Sequence, residues 1–383
     1  MLTKSIFLKS FSKKKSEKKL KKLLNLIISQ ENQLFKSMSK NYVDQYNFKR
    51  IKKISGKIHV KIIGMGGSIL GAQAIYNFLK DKIKKKFYFI NNLNASENSN
   101  DKKEITNLVI SKSGNTLETI TNVNLFLKNK KNIFITENKE SYLYNLASKL
   151  KAEIINHNNY IGGRYSVLSE VGMLPAHLMG LNPKKFRQFN NLIKSNKFLN
   201  LLVQNTNSIL YYSKEKKFNS VILNYDQKSD SLFQWYQQLV AESLGKKGKG
   251  ILPIISTMPK DNHSVMQLYL DGFKNNIFTF FYFNEKSSHK LNKNKLLSSH
   301  KFLGSKKVND IIFKQKIATE NIFKSKNIPF RSFEINKRNE KTLGEIFCYF
   351  MLETILLGRA LKINPYDQPA VELIKKETKK LFF

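Results

Sequence analysis

The sequence predicts an α/β protein built from two doubly wound domains, each an αβα sandwich around a mostly parallel sheet. Short apolar, β-rich segments alternate with helical segments along most of the 383 residues. The alternation occurs in two successive series that share an architecture but no repeated sequence. Two predicted strands also end directly in glycine-bearing turns before a helix, which is where open α/β sheets usually bind ligands.

The first element is an amphipathic helix predicted over 16–40, because Leu20, Leu24 and Ile27 recur on one helical face. Residues 1–45 are therefore expected to form an N-terminal helical arm. The first sheet domain is predicted at 46–200. The second is predicted at 201–383 and ends in a C-terminal helix.

In the first series, apolar runs rich in Ile, Val and Phe predict five strands, and the segments between them have helical periodicity. The strands are predicted at 58–63, 86–90, 107–110, 132–136 and 152–156. Helices are predicted from the glycine turn to about Leu79, from residue 117 to about Leu127, and near 140–150.

The region 183–210 is helical and polar, and the alternation then resumes. In the second series, strands are predicted at 220–223, 250–255, 276–283 and 329–335. Helices are predicted at 230–244, 262–271, 306–326 and 341–361, followed by a proline-bearing turn and a terminal helix within 364–383.

The formal net charge of +39 raises the possibility of nucleic-acid binding, but the composition argues against it. Of the 67 basic residues only six are Arg, and the lysines are spread along the whole chain. Recognition of bases and phosphates usually uses arginine forks. No nucleic-acid partner is therefore expected, although the excess charge could speed capture of an anionic substrate.

No membrane span is expected, because the longest apolar runs, such as 277–283, are shorter than the roughly 20 residues that a span requires. Residues 1–24 are basic, with a Lys cluster at 13–15 and no apolar segment before it, so a cytoplasmic location is expected. The single cysteine, Cys348, excludes an internal disulfide and a cysteine-based zinc site, and we expect it to be buried.

Two loops carry the candidate ligand chemistry. Residues 111–116, Ser-Lys-Ser-Gly-Asn-Thr, place three hydroxyls and an ammonium between a strand and a helix N-terminus, which suits a phosphate monoester. The turn that begins at Gly64 lacks the G-x-G-x-x-G spacing, and the next strand ends in Ile90-Asn91-Asn92 without an acidic residue. A nicotinamide cofactor is therefore not expected.

Five segments, found in the same order, resemble those of the phosphoglucose isomerase family, whose domains are of the SIS type. They are S-K-S-G-N-T-L-E-T at 111–119, G-G-R-Y-S at 162–166, Q-L-V-A-E-S-L-G-K at 238–246, D-N-H-S at 261–264 and D-Q-P-A-V-E-L-I-K at 367–375. One motif could arise by chance, but five in order are very specific. The resemblance implies reversible isomerisation of glucose 6-phosphate to fructose 6-phosphate, in glycolysis and gluconeogenesis, without cofactor or metal.

The resemblance also implies roles for individual residues. Glu242 is expected to be the base that moves a proton between C2 and C1, and Arg164 to stabilise the enediolate. His263, oriented by Glu118 and assisted by Lys375, is expected to open the sugar ring. The substrate-binding residues are expected to be Gly67, Ser68, Ser111, Lys112 through its backbone N–H, Ser113, Thr116, Gln238 and Gln368.

The sequence departs from the family in two respects: Ile374 stands where a Gly usually precedes the terminal Lys, and the chain is shorter than most members. Members are homodimers in which the ring-opening His comes from the neighbouring subunit, so we expect shared active sites. Two alternatives remain open at this level, a bifunctional glucose/mannose-6-phosphate isomerase and a non-catalytic SIS protein that binds sugar phosphates.

Overall fold

The computed structural model describes residues 1–12, 18–54, 59–93, 105–127 and 131–382. Three sequence features lie outside these residues: the Lys cluster at 13–15, the start of the first predicted helix at 16–17, and Ile58 at the start of the first predicted strand. The described residues contain no helix with both the length and the hydrophobicity needed to cross a bilayer.

In the described residues ten strands form two five-stranded sheets. They are β1 Ile6–Lys9, β2 His59–Gly64, β3 Lys86–Ile90, β4 Ile105–Ile110, β5 Asn132–Thr136, β6 Glu153–Asn156, β7 Asn219–Asn224, β8 Leu252–Thr257, β9 Asn276–Phe283 and β10 Phe330–Ile335. The five strands of the first series form one sheet, and the four strands of the second series form the other together with an additional strand, β1. The α/β class and the mostly parallel sheets are thereby confirmed.

The first sheet has the strand order β3-β2-β4-β5-β6, and all its neighbours are parallel. The chain runs from β2 to β3 on one side and then crosses to β4 on the other. This reversal opens a crevice outside the carboxyl ends of β2 and β4, the general ligand position in doubly wound sheets.

The second sheet has the order β1-β10-β9-β7-β8 and is parallel except for β1, which pairs antiparallel with β10. Strand β1 is not predicted from the sequence. It has only four residues, with Ile6 and Leu8 buried and the two others exposed. An alternation of only four residues is too short to predict a strand, and the partner strand β10 lies more than 300 residues away in the sequence.

The helices are α1 Lys18–Ser29, α2 Gln33–Ser37, α3 Phe48–Ile54, α4 Leu70–Phe78, α5 Leu117–Phe126, α6 Tyr142–Lys149, α7 Glu170–Leu178, α8 Pro183–Phe186, α9 Phe189–Ile193, α10 Asn196–Lys214, α11 Asp230–Leu244, α12 Met266–Asp271, α13 Val308–Ser325, α14 Glu340–Ala360 and α15 Val371–Lys380. Most lie where the periodicity predicts them.

Two helical predictions need correction, and helices α3 and α7 are not predicted from the sequence. The helix expected over 16–40 is divided into α1 and α2, because Asn32 caps α2 by accepting a hydrogen bond from the Phe35 N–H at 2.8 Å. The polar region 183–210 is divided into α8, α9 and α10. Helix α7 is not predicted, since it contains Pro175 and is buried around nearly its whole circumference, which removes the amphipathic signal.

The two sheets are joined by helices. Helix α4 of the first series packs against α11 of the second, and the Asn77 side-chain NH₂ donates to the Ser231 hydroxyl between them at 2.6 Å. Helix α14 is buried over 342–358 and packs against α1, α8, α10 and α11. It contains Cys348, which is fully buried as expected, and burial raises the pKa of this thiol to about 12.

Candidate active site

Arg164 lies at the centre of the candidate site. It follows Gly162-Gly163 in a 3-10 turn, Gly163–Leu168, and is 1% exposed. Its Nε donates to the Ser243 hydroxyl at 2.8 Å, and one terminal nitrogen donates to the carbonyl oxygens of Pro365 and Asp367 at 2.8 and 3.0 Å. The guanidinium is therefore held in one orientation by neutral oxygens.

The other terminal nitrogen of Arg164 points at two side chains predicted for the site. It donates to Gln368 Oε1 at 2.6 Å and to Glu242 Oε2 at 3.3 Å. Glu242 and Gln238 lie one turn apart on α11, and Gln238 Nε2 donates to Glu242 Oε1 at 2.9 Å. Both carboxylate oxygens are thus oriented, while the Glu242 side chain remains 28% exposed.

The glycine turn after β2 closes one side of this cluster. A Cβ on Gly67 would lie 2.2 Å from the carbonyl carbon of Gly163, and one on Gly66 would lie 2.7 Å from Gln238 Nε2. Gly66 also has a φ of +51°, which favours glycine. The missing side chains let this backbone approach Arg164 and Gln238 closely, with half-buried Ser68 at the end of the turn.

The hydroxyl-bearing loop at 111–116 follows β4, next to the glycine turn, because Gly64 and Ile110 are register partners at the ends of neighbouring strands. Ser111 Oγ and Thr116 Oγ1 are 3.0 Å apart. The Asn115 N–H donates to Ser113 Oγ at 3.2 Å. The loop therefore presents its hydroxyls at the crevice where the strand order reverses.

The Lys112 side chain leaves this loop in another direction. Its ammonium donates to the carbonyl oxygen of Asn159 at 2.7 Å and lies 3.8 Å from Glu137. Burial lowers its pKa. The ammonium thus ties the loop to the segment that leads into Arg164, which is compatible with a ligand contact through the Lys112 backbone only.

Three predicted residues lie on elements other than those that form this cluster. His263 is exposed in the 3-10 turn Lys260–His263, and Lys375 on α15 is 60% exposed and pairs with Glu372 at 2.7 Å. Glu118 is half-buried in the first turn of α5. Among the described residues, no hydrogen bond or ion pair joins any of the three to Glu242 or Arg164.

Some contacts of the cluster are not predicted from the sequence. Trp235 Nε1 donates to the Arg164 carbonyl oxygen at 3.1 Å. The Tyr165 hydroxyl lies 2.9 Å from Ser243 Oγ, and burial raises the pKa of this tyrosine to about 12. Ser243 directly follows Glu242 in the sequence, and Tyr165 directly follows Arg164. Their position next to predicted site residues is the signal that could have identified them.

In the described parts of the chain, no group of three or more His, Cys, Asp or Glu side chains is arranged to hold a metal ion.

Comparison with known proteins gives consistent matches. The family model described as phosphoglucose isomerase matches residues 24–382. The glucose-6-phosphate isomerase of Methanocaldococcus jannaschii is 33% identical over 348 residues, covering 86% of each chain.

Solved structures share the fold. A hypothetical protein from Thermus thermophilus superposes with a TM-score of 0.83 at 20% identity, covering 95% of this chain and 94% of that one. A glucose-6-phosphate isomerase from Chlamydia trachomatis superposes with a TM-score of 0.76 at 16% identity, covering 99% and 89%. These likenesses agree with the expected pair of SIS-type sheets.

Proposed function

This chain belongs to the phosphoglucose isomerase family, and on that premise we propose that it interconverts glucose 6-phosphate and fructose 6-phosphate. One observation carries the proposal: a partly exposed carboxylate, Glu242, is oriented between an amide and a buried guanidinium. Since both substrates belong to glycolysis and gluconeogenesis, we propose that the enzyme acts in the cytoplasm.

In this mechanism Glu242 removes the proton from C2 of the open-chain aldose and returns it to C1. The electron pair of the broken C2–H bond forms the C1=C2 double bond of a cis-enediolate, and negative charge develops on the carbonyl oxygen O1. As the proton is returned to C1, the C2 hydroxyl loses its proton and O1 gains one, which leaves the ketone at C2. Arg164 is directed at this region and supplies a positive charge there. Because its orientation is fixed beforehand by neutral oxygens, little reorganisation is needed when the charge develops.

The crevice supplies the binding contacts. Ser111, Ser113 and Thr116, with the Lys112 backbone N–H, hold the phosphate. Gly67 and Ser68 line the sugar side, and Gln238 and Gln368 bind sugar hydroxyls. Support for the role of Gln238 comes from its Oε1 atom, which is buried and has no hydrogen-bond partner among the described residues. Buried acceptors of this kind are rare unless a ligand or water satisfies them.

Ring opening is assigned to His263, with Glu118 orienting it and Lys375 assisting. Because these groups lie on elements other than those that form the Arg164 cluster, we propose a homodimer with shared active sites. Helix α15, which carries Lys375, supports an interaction with a second copy, since Leu373 and Ile374 are 67% and 72% exposed. Large exposed apolar side chains side by side are typical of protein interfaces.

The activity is tested by supplying fructose 6-phosphate and detecting glucose 6-phosphate with an NADP-dependent dehydrogenase. We expect saturable turnover by the purified chain, and none from Glu242→Gln prepared in parallel. Absence of turnover by the purified chain would contradict the proposed activity, and equal rates from the two preparations would contradict the role of Glu242 as the base.

Shared sites are tested by co-expressing Glu242→Gln with His263→Ala. If each site takes Glu242 from one chain and His263 from the other, a mixed dimer has one intact site. Activity should then exceed the sum of the two separate variants. If a single chain supplies both residues, no mixed dimer contains an intact site, and recovery should be absent.

A further inference from the structure

The turn that precedes α15, residues 364–368, is held by a lysine outside the reaction centre. Lys246 Nζ donates to the carbonyl oxygen of Asn364 at 2.5 Å and to Asp367 Oδ1 at 2.8 Å. The Lys246 side chain is only 11% exposed, and its hydrogen bond lowers the pKa of Asp367. Lys246 thus makes a charge-assisted contact with each end of the turn.

The same turn receives Arg164. The carbonyl oxygens of Pro365 and Asp367 and the side chain of Gln368 accept three hydrogen bonds from its two terminal nitrogens. Two cations, Lys246 and Arg164, therefore hold one short piece of backbone. Neither cation belongs to α14 or α15, the helices on either side of the turn.

Both cations are positioned relative to helix α11. Glu242 and Ser243 lie on this helix, and Lys246 follows its last residue by two positions. Ser243 fixes the Nε end of the guanidinium, whereas Lys246 fixes the turn that accepts from the terminal nitrogens. The position of Arg164 relative to Glu242 is therefore set from both ends by groups attached to the helix that carries Glu242.

We propose that Lys246 is a positioning residue for the isomerisation: it holds residues 364–368 so that Arg164 faces the enediolate formed over Glu242. This inference rests on the proposed function. The turn also has bonds of its own, since Asn364 Nδ2 donates to Asp367 Oδ2 at 3.1 Å and the Tyr366 N–H donates to Asn364 Oδ1 at 3.1 Å. Loss of Lys246 therefore displaces the turn rather than unfolding it.

The test compares Lys246→Met with Lys246→Arg and with Lys249→Met. Lys249 is a matched control, because it lies in the same loop and donates to the Leu361 carbonyl oxygen at 2.9 Å, outside the turn. We expect Lys246→Met to lower kcat about 10- to 100-fold, the usual effect of a small misplacement of a catalytic group. KM should stay within about threefold of its original value. Lys246→Arg should recover part of the loss, and Lys249→Met should match the unmodified protein.

A binding measurement separates positioning from general damage. Calorimetry is done with two ligands. One is a five-carbon aldonate 5-phosphate, whose planar carboxylate has the charge of an enediolate. The other is hexitol 6-phosphate, which has an uncharged hydroxyl group in place of that carboxylate. Lys246→Met should weaken the aldonate about tenfold or more and leave the hexitol unchanged. Equal weakening of both ligands, or an unchanged kcat, would overturn the inference. If the unmodified protein shows no turnover, the proposed function fails, while the ratio of the two affinities still tests Lys246.

Discussion

Among the described residues three arginines are almost completely buried, Arg164, Arg187 and Arg331. The surroundings of Arg331 and Arg164 differ. Arg331 on β10 donates both terminal nitrogens to the Glu353 carboxylate on α14, and the two side chains are 1% and 2% exposed. The Arg331 guanidinium also lies near the rings of Phe11 and Phe333. The two charges are paired within the protein interior, and the hydroxyls of Thr279 and Tyr349 make further hydrogen bonds to the pair.

Arg164 is equally buried, but most of its hydrogen bonds go to neutral oxygens. Its one carboxylate partner, Glu242, is contacted by a single nitrogen at 3.3 Å and remains open to the crevice. In a closed pair such as Arg331–Glu353, each charged group is occupied by the other, so neither can react with a ligand. Removing one partner leaves the other as an uncompensated buried charge. An open pair leaves the carboxylate able to reach a ligand. We therefore expect the first arrangement to matter for stability and the second to matter for the proposed catalysis.

The largest expected effect comes from Glu242→Gln. Loss of the base should lower kcat by about 10²- to 10⁴-fold. The free energy of unfolding should change by no more than about 0.5 kcal/mol, because the side chain is partly exposed and Arg164 keeps its neutral acceptors. The coupled assay and urea unfolding measure the two quantities. A folded variant with unchanged turnover would remove Glu242 from the role of base.

Glu353→Gln should have the opposite profile. Removing one charge from the closed pair should lower the free energy of unfolding by about 3–5 kcal/mol. The kcat per folded molecule should stay unchanged, since Glu353 lies in the core between β10 and α14. Urea unfolding with activity measured at low temperature checks both. A loss of kcat without a loss of stability would contradict the distinction between the two pairs.

Arg164→Lys sharpens the comparison further. The lysine keeps a positive charge but cannot reach Ser243, Gln368 and the turn carbonyls together. We expect kcat to fall about 10²- to 10³-fold, with a much smaller change in KM. Steady-state kinetics with fructose 6-phosphate provide the measurement. If KM alone rises, Arg164 binds the ground state of the substrate and the enediolate role is wrong.

The smallest effect is expected for the double variant Ser113→Ala, Thr116→Ala. Two lost hydrogen bonds to a charged phosphate should raise KM roughly 10- to 100-fold. Helix α5 should persist, because the Thr116 hydroxyl does not cap it. Thr121→Ala is the control, since its hydroxyl donates to the Leu117 carbonyl oxygen in the same helix. A fall in kcat at constant KM would refute the phosphate assignment.

Much of the fold could be predicted because its signals are local. The parallel strands are continuous apolar runs, and the intervening helices have their own periodicity, so their positions agree within a few residues. Strand β1 and helices α3 and α7 escaped prediction. Strand β1 is too short, and burial on nearly all sides of α7 removes the polar face. The boundaries at 45 and 200 between the proposed domains stay a prediction.

The class of fold and the residue types at the site can be predicted from local sequence, because strand alternation and five short segments are encoded by neighbouring residues. How Arg164 is held depends on contacts between distant parts of the chain. Its acceptors Pro365 and Asp367 lie some 200 residues away and act through backbone carbonyls. Every residue has such a carbonyl, so its use as a ligand leaves no trace in the amino-acid sequence and depends on which parts of the chain the fold brings together.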